Sequence, residues 1–210
     1  MAEFLNTAFA GLDGGVFRIL NSGNCGFLNF FTKYFSYLGE KGIPLLLIGA
    51  ILCCFSKTRK IGATTILAIA VGALFTNVIL KNAVERLRPY TNPEYTDFWK
   101  QAGGVLESEF SFPSGHTTAA TAFAVGLFLS CDKKWSWLAL VGALVMGFCR
   151  IYLVVHYTTD VIAGLIVGTI GGVIAFYLVK LVYAKLAKNP DKKFSRFALE
   201  WNITDLFNKK

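Results

Sequence analysis

The stretch Arg150-Ile-Tyr-Leu-Val-Val-His156-Tyr-Thr-Thr-Asp160 stands between two long apolar runs, residues 135–149 and 161–179. Charged side chains near a hydrocarbon core are costly, and they are therefore candidates for function. His156 and Asp160 are four residues apart, so a helical connection would place both on one face, where the carboxylate can hold the imidazole in one tautomer. A helix-ending arginine followed by a capped turn is an equally good interpretation of these residues taken alone.

The composition around this stretch is that of an integral membrane protein. Of 210 residues, 54% are hydrophobic and 16% are charged, and the mean hydropathy is +0.52. A soluble globular chain carries about 25% charged residues. The net charge of +8 does not indicate nucleic acid, because most basic residues lie in short loops and in the tail, beside apolar segments. We therefore expect one compact domain in the bilayer and no nucleic-acid partner.

The apolar segments predict an all-α, polytopic membrane helix bundle. It would have five to six transmembrane helices. Residues 27–38 either lie at the membrane interface or lead into the first of them. Five are centred on residues 43–55, 61–80, 117–130, 135–149 and 161–179. Glycines in the last segment are spaced for close helix packing. The predicted parts of this single domain are interfacial or re-entrant N-terminal helices (1–41), a transmembrane core (42–183) and a basic cytoplasmic tail (184–210).

Two amphipathic segments flank the predicted bundle. The first, residues 3–20, has large apolar side chains on one face and charged residues, Asp13 among them, on the other, which predicts a helix at the membrane interface. Its apolar stripe consists of Leu5, Phe9, Leu12, Val16 and Leu20. The second is the basic tail. It either forms another face at the membrane interface or is a solvated segment, and the sequence favours neither. The aromatic residues of the tail are Phe194, Phe197, Trp201 and Phe207.

Five spans place alternate connections on opposite sides of the membrane. Residues 57–60, 132–134 and the tail fall on one side, and residues 81–116 and 150–160 fall on the other. We expect the protein in the plasma membrane. The first side carries the short basic loops, so the positive-inside rule assigns that side to the cytoplasm. Six polar residues then meet on the extracytoplasmic side. They are Lys81, Arg88, His116, Arg150, His156 and Asp160.

Two further groups of polar residues begin or end predicted helices. Lys81 and Arg88 are seven residues apart, close to two helical turns, so they are expected to share a helix face. Two cations on one face indicate a bound anion between them, and the alternative is that Glu85 is that anion. Ser114 follows Pro113 and can cap the next helix, whose free N–H groups form a ready anion site. An ordinary N-cap after a proline turn is the alternative interpretation of that second group.

Together these residues describe a site for a tetrahedral phosphate. Lys81, Arg88 and Arg150 supply three cations, and the helix start at residues 113–116 supplies N–H donors. One histidine, backed by Asp160, can attack phosphorus, and the other can protonate a leaving oxygen. No carboxylates are spaced for two metal ions, and the five cysteines have no zinc spacing. The sequence therefore predicts a metal-independent reaction that needs no cofactor.

The sequence resembles the type-2 phosphatidic acid phosphatase superfamily, the integral-membrane lipid phosphatases related to vanadium haloperoxidases. Three motif blocks appear in order within residues 40–180, as Lys81-x6-Arg88-Pro89, Pro113-Ser114-Gly115-His116 and Arg150-x5-His156-x3-Asp160. Two positions depart from the family. Cys149 stands where the family usually has serine, and Thr158 stands where many members have proline. Cysteine is the poorer hydrogen-bond donor, so a helper contact to phosphate is expected to be weaker.

The resemblance implies a role for each matching residue. His156 corresponds to the nucleophile that forms a phosphohistidine, Asp160 to its charge-relay partner, and His116 to the general acid for the leaving group. The implied phosphate ligands are Lys81, Arg88, Ser114, Gly115 and Arg150.

The resemblance also implies that the chain hydrolyses a phosphomonoester or diphosphate of a membrane lipid. An outward-facing site favours undecaprenyl diphosphate, and phosphatidate or phosphatidylglycerophosphate is the alternative substrate. Two other classes fit parts of the pattern: a phospholipid or anion transporter without hydrolysis, and a vanadate-dependent oxidant enzyme, against which the membrane spans argue. The expected partners are the lipid substrate and the bilayer, and the oligomeric state is left open.

Overall fold

The computed structural model describes residues 1–206, and the last four residues of the predicted tail, Phe207 included, lie outside it. The described chain is helical and contains no strand, which confirms the all-α fold. The helices are α1 (Ala2–Ala8), α2 (Ala10–Ser22), α3 (Gly26–Ser36), α4 (Ile43–Cys53), α5 (Arg59–Ala73), α6 (Lys81–Val84), α7 (Pro93–Gln101), α8 (Gly115–Ser130), α9 (Lys133–Tyr152), α10 (Thr158–Ala187) and α11 (Lys193–Glu200). A π-helical segment, Leu74–Leu80, joins α5 to α6, and a 3-10 segment, Tyr37–Gly42, joins α3 to α4.

Four helical stretches within residues 1–206 are long and apolar enough to cross a membrane. They are Gly26–Cys53, Arg59–Thr91, Lys133–Tyr152 and Thr158–Ala187. The predicted count of five to six is not confirmed, because the remaining predicted segment forms α8, which has 16 residues, short of the ~20 that a bilayer core requires. The first stretch includes residues 27–38, so these lead into it, across a break where Lys41 has φ of +49°.

The short helix α8 lies at the centre of the bundle, against α5, α9 and α10. Glycines of α10 let it approach closely, as the sequence predicts. A Cβ on Gly168 would lie 2.6 Å from the Thr121 Cβ and 2.7 Å from the Thr118 carbonyl oxygen, and a Cβ on Gly164 would lie 2.9 Å from the Ser114 carbonyl oxygen. The two helices therefore hold the second and third motif blocks against each other.

The N-terminal helix α2 packs against the bundle with a face that differs from the predicted one. Asp13, expected on the polar outer face, is buried, and Phe17 is buried beside it, whereas Leu12 of the predicted apolar stripe is exposed. Phe17 packs on Tyr95, with ring centroids 4.9 Å apart. Val16 and Leu20 of the predicted stripe do pack against this cluster, so the apolar periodicity is wrong for Asp13 and Leu12. Asp13 is buried because it pairs with a buried arginine of the bundle.

The helical relation predicted between Lys81 and Arg88 is wrong. Helix α6 ends at Val84, because Glu85 has φ of +52°, in the left-handed region. The chain then runs extended through Arg88, with φ of −70° and ψ of 148°. The two cations nevertheless line one cavity.

Candidate active site

The end of the bundle where α6 and α9 end and α8 and α10 begin contains a cavity of about 760 Å³. Five of the eight predicted site residues line it, and Ser114, Arg150 and Asp160 are buried around it. The lining residues of the predicted set are Lys81, Arg88, Gly115, His116 and His156. Three motif blocks that are far apart in the sequence are therefore adjacent in space.

A strained turn between α9 and α10 brings Arg150 and His156 to the same place. Val154 has φ of +55°, which is unusual for a β-branched residue and typical of turns held by their surroundings. The backbone N–H groups of Val155 and His156 both donate to the Arg150 carbonyl oxygen, at 3.3 Å. The helix-ending turn that the sequence left open is thus present. It brings His156 to the cavity wall, with Arg150 buried nearby.

The imidazole of His156 is held in the tautomer that a nucleophile needs. Its Nε2 lies 2.9 Å from Arg88 Nη1, and because a guanidinium can only donate, Nε2 accepts and the proton is on Nδ1. Nδ1 lies 3.5 Å from Asp160 Oδ2. Burial, and then the charges of Arg88, Arg150 and Lys81, lower the pKa of His156 well below 6.5. The ring is therefore neutral, with a lone pair on Nε2.

Asp160 is fixed by three hydrogen-bond donors besides its contact with His156. Oδ2 accepts from Ser111 Oγ at 2.5 Å and from the backbone N–H of Tyr157 at 2.9 Å. Oδ1 accepts from Arg86 Nη1 at 2.6 Å. The Tyr157 contact forms part of a capping box at the start of α10, so the helix start itself orients the carboxylate.

Arg86 is a site residue that sequence reasoning missed. It is fully buried, and it donates to Asp13 Oδ2 at 3.0 Å and to Thr159 Oγ1 at 2.7 Å as well as to Asp160. Its guanidinium carbon lies 3.7 Å from the centre of the Tyr157 ring. In the sequence Arg86 stands among other charges at the end of a span, and no pattern there separates it from a solvated arginine.

Two glutamates of the loop before α8 form ion pairs with two of the predicted phosphate-binding cations. Glu109 is paired with Lys81, and Glu107 is paired with Arg150. Lys81 therefore pairs with Glu109 and not with Glu85, the alternative anion suggested by the sequence. The hydrogen bond from Lys81 lowers the pKa of Glu109, which is 61% exposed. A phosphate that binds Lys81 and Arg150 would therefore have to displace these two carboxylates.

The start of α8 presents His116 and a capped helix end. Ser114 Oγ accepts from the Thr117 backbone N–H at 3.4 Å and from the Thr117 hydroxyl at 2.9 Å, so the predicted N-cap is confirmed. His116 Nε2 is buried and has no hydrogen-bond partner within residues 1–206. The nearest carboxylate oxygen, Glu40 Oε2, lies 3.5 Å away. This leaves a buried ring nitrogen available to a ligand.

The donor set of the cavity suits an anion. Lys81 and Arg88 line it together with the start of α8, and three or more metal-binding side chains do not converge anywhere in the described part of the chain. Guanidinium and ammonium groups around a helix N-terminus match the oxygens of a phosphate. Chemically, the arrangement offers an anion cage, an unprotonated ring nitrogen and a second histidine.

Comparison with known proteins matches the chain to a family of membrane phosphatases. A family model described as the PAP2 superfamily matches residues 62–183, which include all eight predicted site residues. An undecaprenyl-diphosphatase of Sulfolobus acidocaldarius is 30% identical over 76% of this chain and 74% of that protein. A lipid A 4'-phosphatase of Bacteroides thetaiotaomicron is 30% identical over 89% of this chain and 83% of that protein. The crystal structure of a transmembrane PAP2-type phosphatidylglycerolphosphate phosphatase from Bacillus subtilis matches with a TM-score of 0.66 and 30% identity, over 92% of each chain.

Proposed function

Because the chain belongs to the PAP2 superfamily of membrane lipid phosphatases, we propose that it removes the terminal phosphate of undecaprenyl diphosphate through a phosphohistidine. One observation carries the proposed chemistry. An unprotonated Nε2 of His156 and the ring of His116 face one cavity that is surrounded by Lys81, Arg88 and Arg150. Binding an anion requires only the cations, whereas two histidines with separate environments supply a nucleophile and an acid.

In the first step, His156 Nε2 attacks the terminal phosphorus. The Nε2–P bond forms while the bond from phosphorus to the bridging oxygen breaks, and His116 gives that oxygen a proton. Lys81, Arg88 and Arg150 stabilise the charge on the equatorial oxygens, with Ser114 and the N–H groups at Gly115 as further donors. Asp160 stabilises the positive charge that forms on the ring of His156 as Nε2 bonds to phosphorus.

In the second step, water attacks the phosphohistidine. His116, now neutral, takes a proton from the water as the Nε2–P bond breaks, and inorganic phosphate leaves. Both steps require positioning and charge stabilisation, which the cage supplies, so we propose that the reaction needs no metal ion.

The Cys149 position, where the family usually has serine, is buried beside Arg150.

Two similarities bear on the substrate. The relative from Sulfolobus acidocaldarius is called an undecaprenyl-diphosphatase, and the structural neighbour from Bacillus subtilis is a phosphatidylglycerolphosphate phosphatase. The second supports phosphatidylglycerophosphate, or phosphatidate, as the alternative substrate. The placement of the basic loops supports a site on the extracytoplasmic side of the plasma membrane, with a cytoplasmic C-terminus. Such a site fits recycling of a polyprenyl carrier.

The test is phosphate release by purified protein in detergent. Undecaprenyl diphosphate, phosphatidylglycerophosphate, phosphatidate and a lipid A phosphate are ranked by kcat/KM for the wild type, for His156→Ala, and for Asp97→Asn as a control at an exposed acidic residue. We expect the undecaprenyl substrate to rank first, His156→Ala to release no phosphate, and Asp97→Asn to match the wild type. Undiminished turnover by His156→Ala would contradict the nucleophile.

Two further measurements separate the alternatives. An acid-labile, base-stable phosphoenzyme is expected in quenched reactions, and its absence together with lipid translocation in vesicles would favour a transporter. EDTA is expected to leave the rate unchanged. Loss of activity in EDTA that Mg²⁺ restores would overturn the metal-independent mechanism.

A further inference from the structure

We infer that Asp13 and Arg86 are positioning residues for the nucleophile: Arg86 holds the Asp160 carboxylate against His156, and Asp13 offsets the charge of Arg86. This inference rests on the proposed function, since it concerns how the nucleophile of that reaction is held. It gives the N-terminal helix α2, outside the three motif blocks, a part in the chemistry.

The contacts form one continuous chain from α2 to the reacting nitrogen. Asp13 Oδ2 accepts from Arg86 Nη2 at 3.0 Å, and Arg86 Nη1 donates to Asp160 Oδ1 at 2.6 Å. The other oxygen of Asp160 lies 3.5 Å from His156 Nδ1. Asp13, Arg86 and Asp160 are each at most 1% exposed, so solvent screens none of these steps.

The charges explain why a second carboxylate is useful. Arg86 alone would neutralise Asp160, and Asp160 would then stabilise little positive charge on the imidazole. With Asp13 on the far side of Arg86, two carboxylates face one guanidinium, so an excess negative charge is left beside His156. The low dielectric of a buried site makes this difference larger than it would be in water.

A purely structural role is the competing explanation. Asp13 also accepts from the Thr159 backbone N–H at 3.2 Å and from the Thr159 hydroxyl at 3.1 Å, so it attaches α2 to the start of α10. Loss of that attachment would reduce folding or activity without a defined effect on proton affinity. The two explanations therefore differ in the pH dependence of the reaction.

The charged and titratable groups around His156, Arg86 and Asp13 determine in which direction the pH dependence of the reaction should shift. His156 meets Arg88, Asp160 and the charges of Arg150, Lys81 and His116. Arg86 also meets Asn6 of α1, whose Oδ1 accepts from Arg86 Nε at 2.7 Å. Asn6 is exposed, so a charge can be added there without burying it. Two tyrosines are further titratable neighbours: the ring of Tyr157 lies under Arg86, and Tyr95 interacts with the charge of Asp13.

Two substitutions with opposite charge effects test the inference. Asp13→Asn removes a negative charge, so the imidazolium of His156 is less stable and the acid limb of the kcat/KM profile should move to lower pH by about 0.5 to 1 unit. We expect kcat to fall about 10- to 100-fold, by analogy with the carboxylates that orient metal-binding histidines, with KM within about 2-fold. Asn6→Asp adds a negative charge and should move the limb to higher pH.

The double variant Asn6→Asp/Asp13→Asn restores the charge and should return the limb toward that of the wild type. Asp97→Asn serves as the matched control, since it removes an exposed carboxylate of α7 that is paired with Lys100. If Asp13→Asn cannot be purified folded, the shift of Asn6→Asp alone decides the question.

The outcomes separate this inference from the proposed function. Failure of the wild type to release phosphate, or full activity of His156→Ala, overturns the function itself. An active wild type with an inactive His156→Ala, but with acid limbs that do not move in Asp13→Asn and Asn6→Asp, overturns the inference alone and leaves Asp13 as a structural attachment.

Discussion

His156 lies in an environment that keeps its ring neutral. Burial and the charges of Arg88, Arg150 and Lys81 lower its pKa well below 6.5, so the neutral ring persists as the pH falls through 6.5 and is lost only at lower pH. We therefore expect the acid limb of kcat/KM for the free enzyme to lie below pH 6.5. The measurement is a pH profile of phosphate release, corrected for the ionisation of the substrate phosphate by ³¹P NMR. A corrected limb at or above 6.5 would contradict this environment.

If Lys81 and Arg150 bind the substrate phosphate, the loop carboxylates that pair with them are expected to compete with it. Glu109 is paired with Lys81 and Glu107 with Arg150, and the lowered pKa of Glu109 keeps it ionised at neutral pH. Removing either charge should lower KM about 2- to 5-fold, because a partly exposed pair is worth up to about 1 kcal/mol. The measurement is KM of Glu107→Gln and Glu109→Gln. The control is Glu94→Gln, an exposed glutamate paired with Arg18, and a KM equal to that of the control would show that the glutamates are not displaced.

At the level of single residues, the sequence predicts which side chains meet but not how they are held. The three motif blocks name residues that do surround one cavity. Arg86, Asp13 and Ser111 were missed, because each is bound through contacts between distant segments and none has a spacing that marks it. The short apolar pattern of residues 3–20 even placed Asp13 on the wrong face. Burial of a charge depends on its partner, and the partner of Asp13 is 73 residues away.

Helix contacts are the next scale, and the approach of α10 to α8 is their tightest feature. A Cβ on Gly168 would lie 2.6 Å from the Thr121 Cβ, so Gly168→Ala should destabilise the protein by about 1–3 kcal/mol through overpacking. Gly142→Ala is the matched control, because a Cβ on Gly142 would have no neighbour within 4 Å among the described residues, and alanine is the better helix former. Unfolding in detergent measures both variants, and equal stabilities would contradict the close approach.

The sequence predicts where helices form better than where they end. Apolar length and glycine spacing located α5, α9 and α10, and Ser114 correctly marked the start of α8. The end of α6 was missed, because Glu85, Arg86 and Leu87 have good helix propensity, and a left-handed glutamate follows from tertiary contacts of Arg86 and Arg88. Local preference is a weak prior when two buried guanidinium groups have partners elsewhere.

For the whole molecule, the orientation in the membrane is the open prediction. Cys25 is exposed, and its backbone N–H donates to the Tyr152 hydroxyl at 3.4 Å, at the end of the bundle that holds the cavity. Cys131 follows the last residue of α8, at the opposite end. An impermeant maleimide on intact cells should therefore label a variant with Cys25 alone and should label one with Cys131 alone only after permeabilisation. The reverse pattern would place the cavity in the cytoplasm.

The length of α8 has a consequence for the membrane itself. Sixteen residues at a rise of ~1.5 Å give a rod of about 24 Å, against a hydrocarbon thickness of about 30 Å. The flanking helices are long enough to match the bilayer, and the cavity lies at the end of α8 that carries His116. We expect lipid headgroups and water to enter at this end, so that the mismatch between α8 and the bilayer coincides with the candidate site. Under the proposed function, the phosphate of a membrane lipid then reaches the cavity while the lipid stays in its own leaflet.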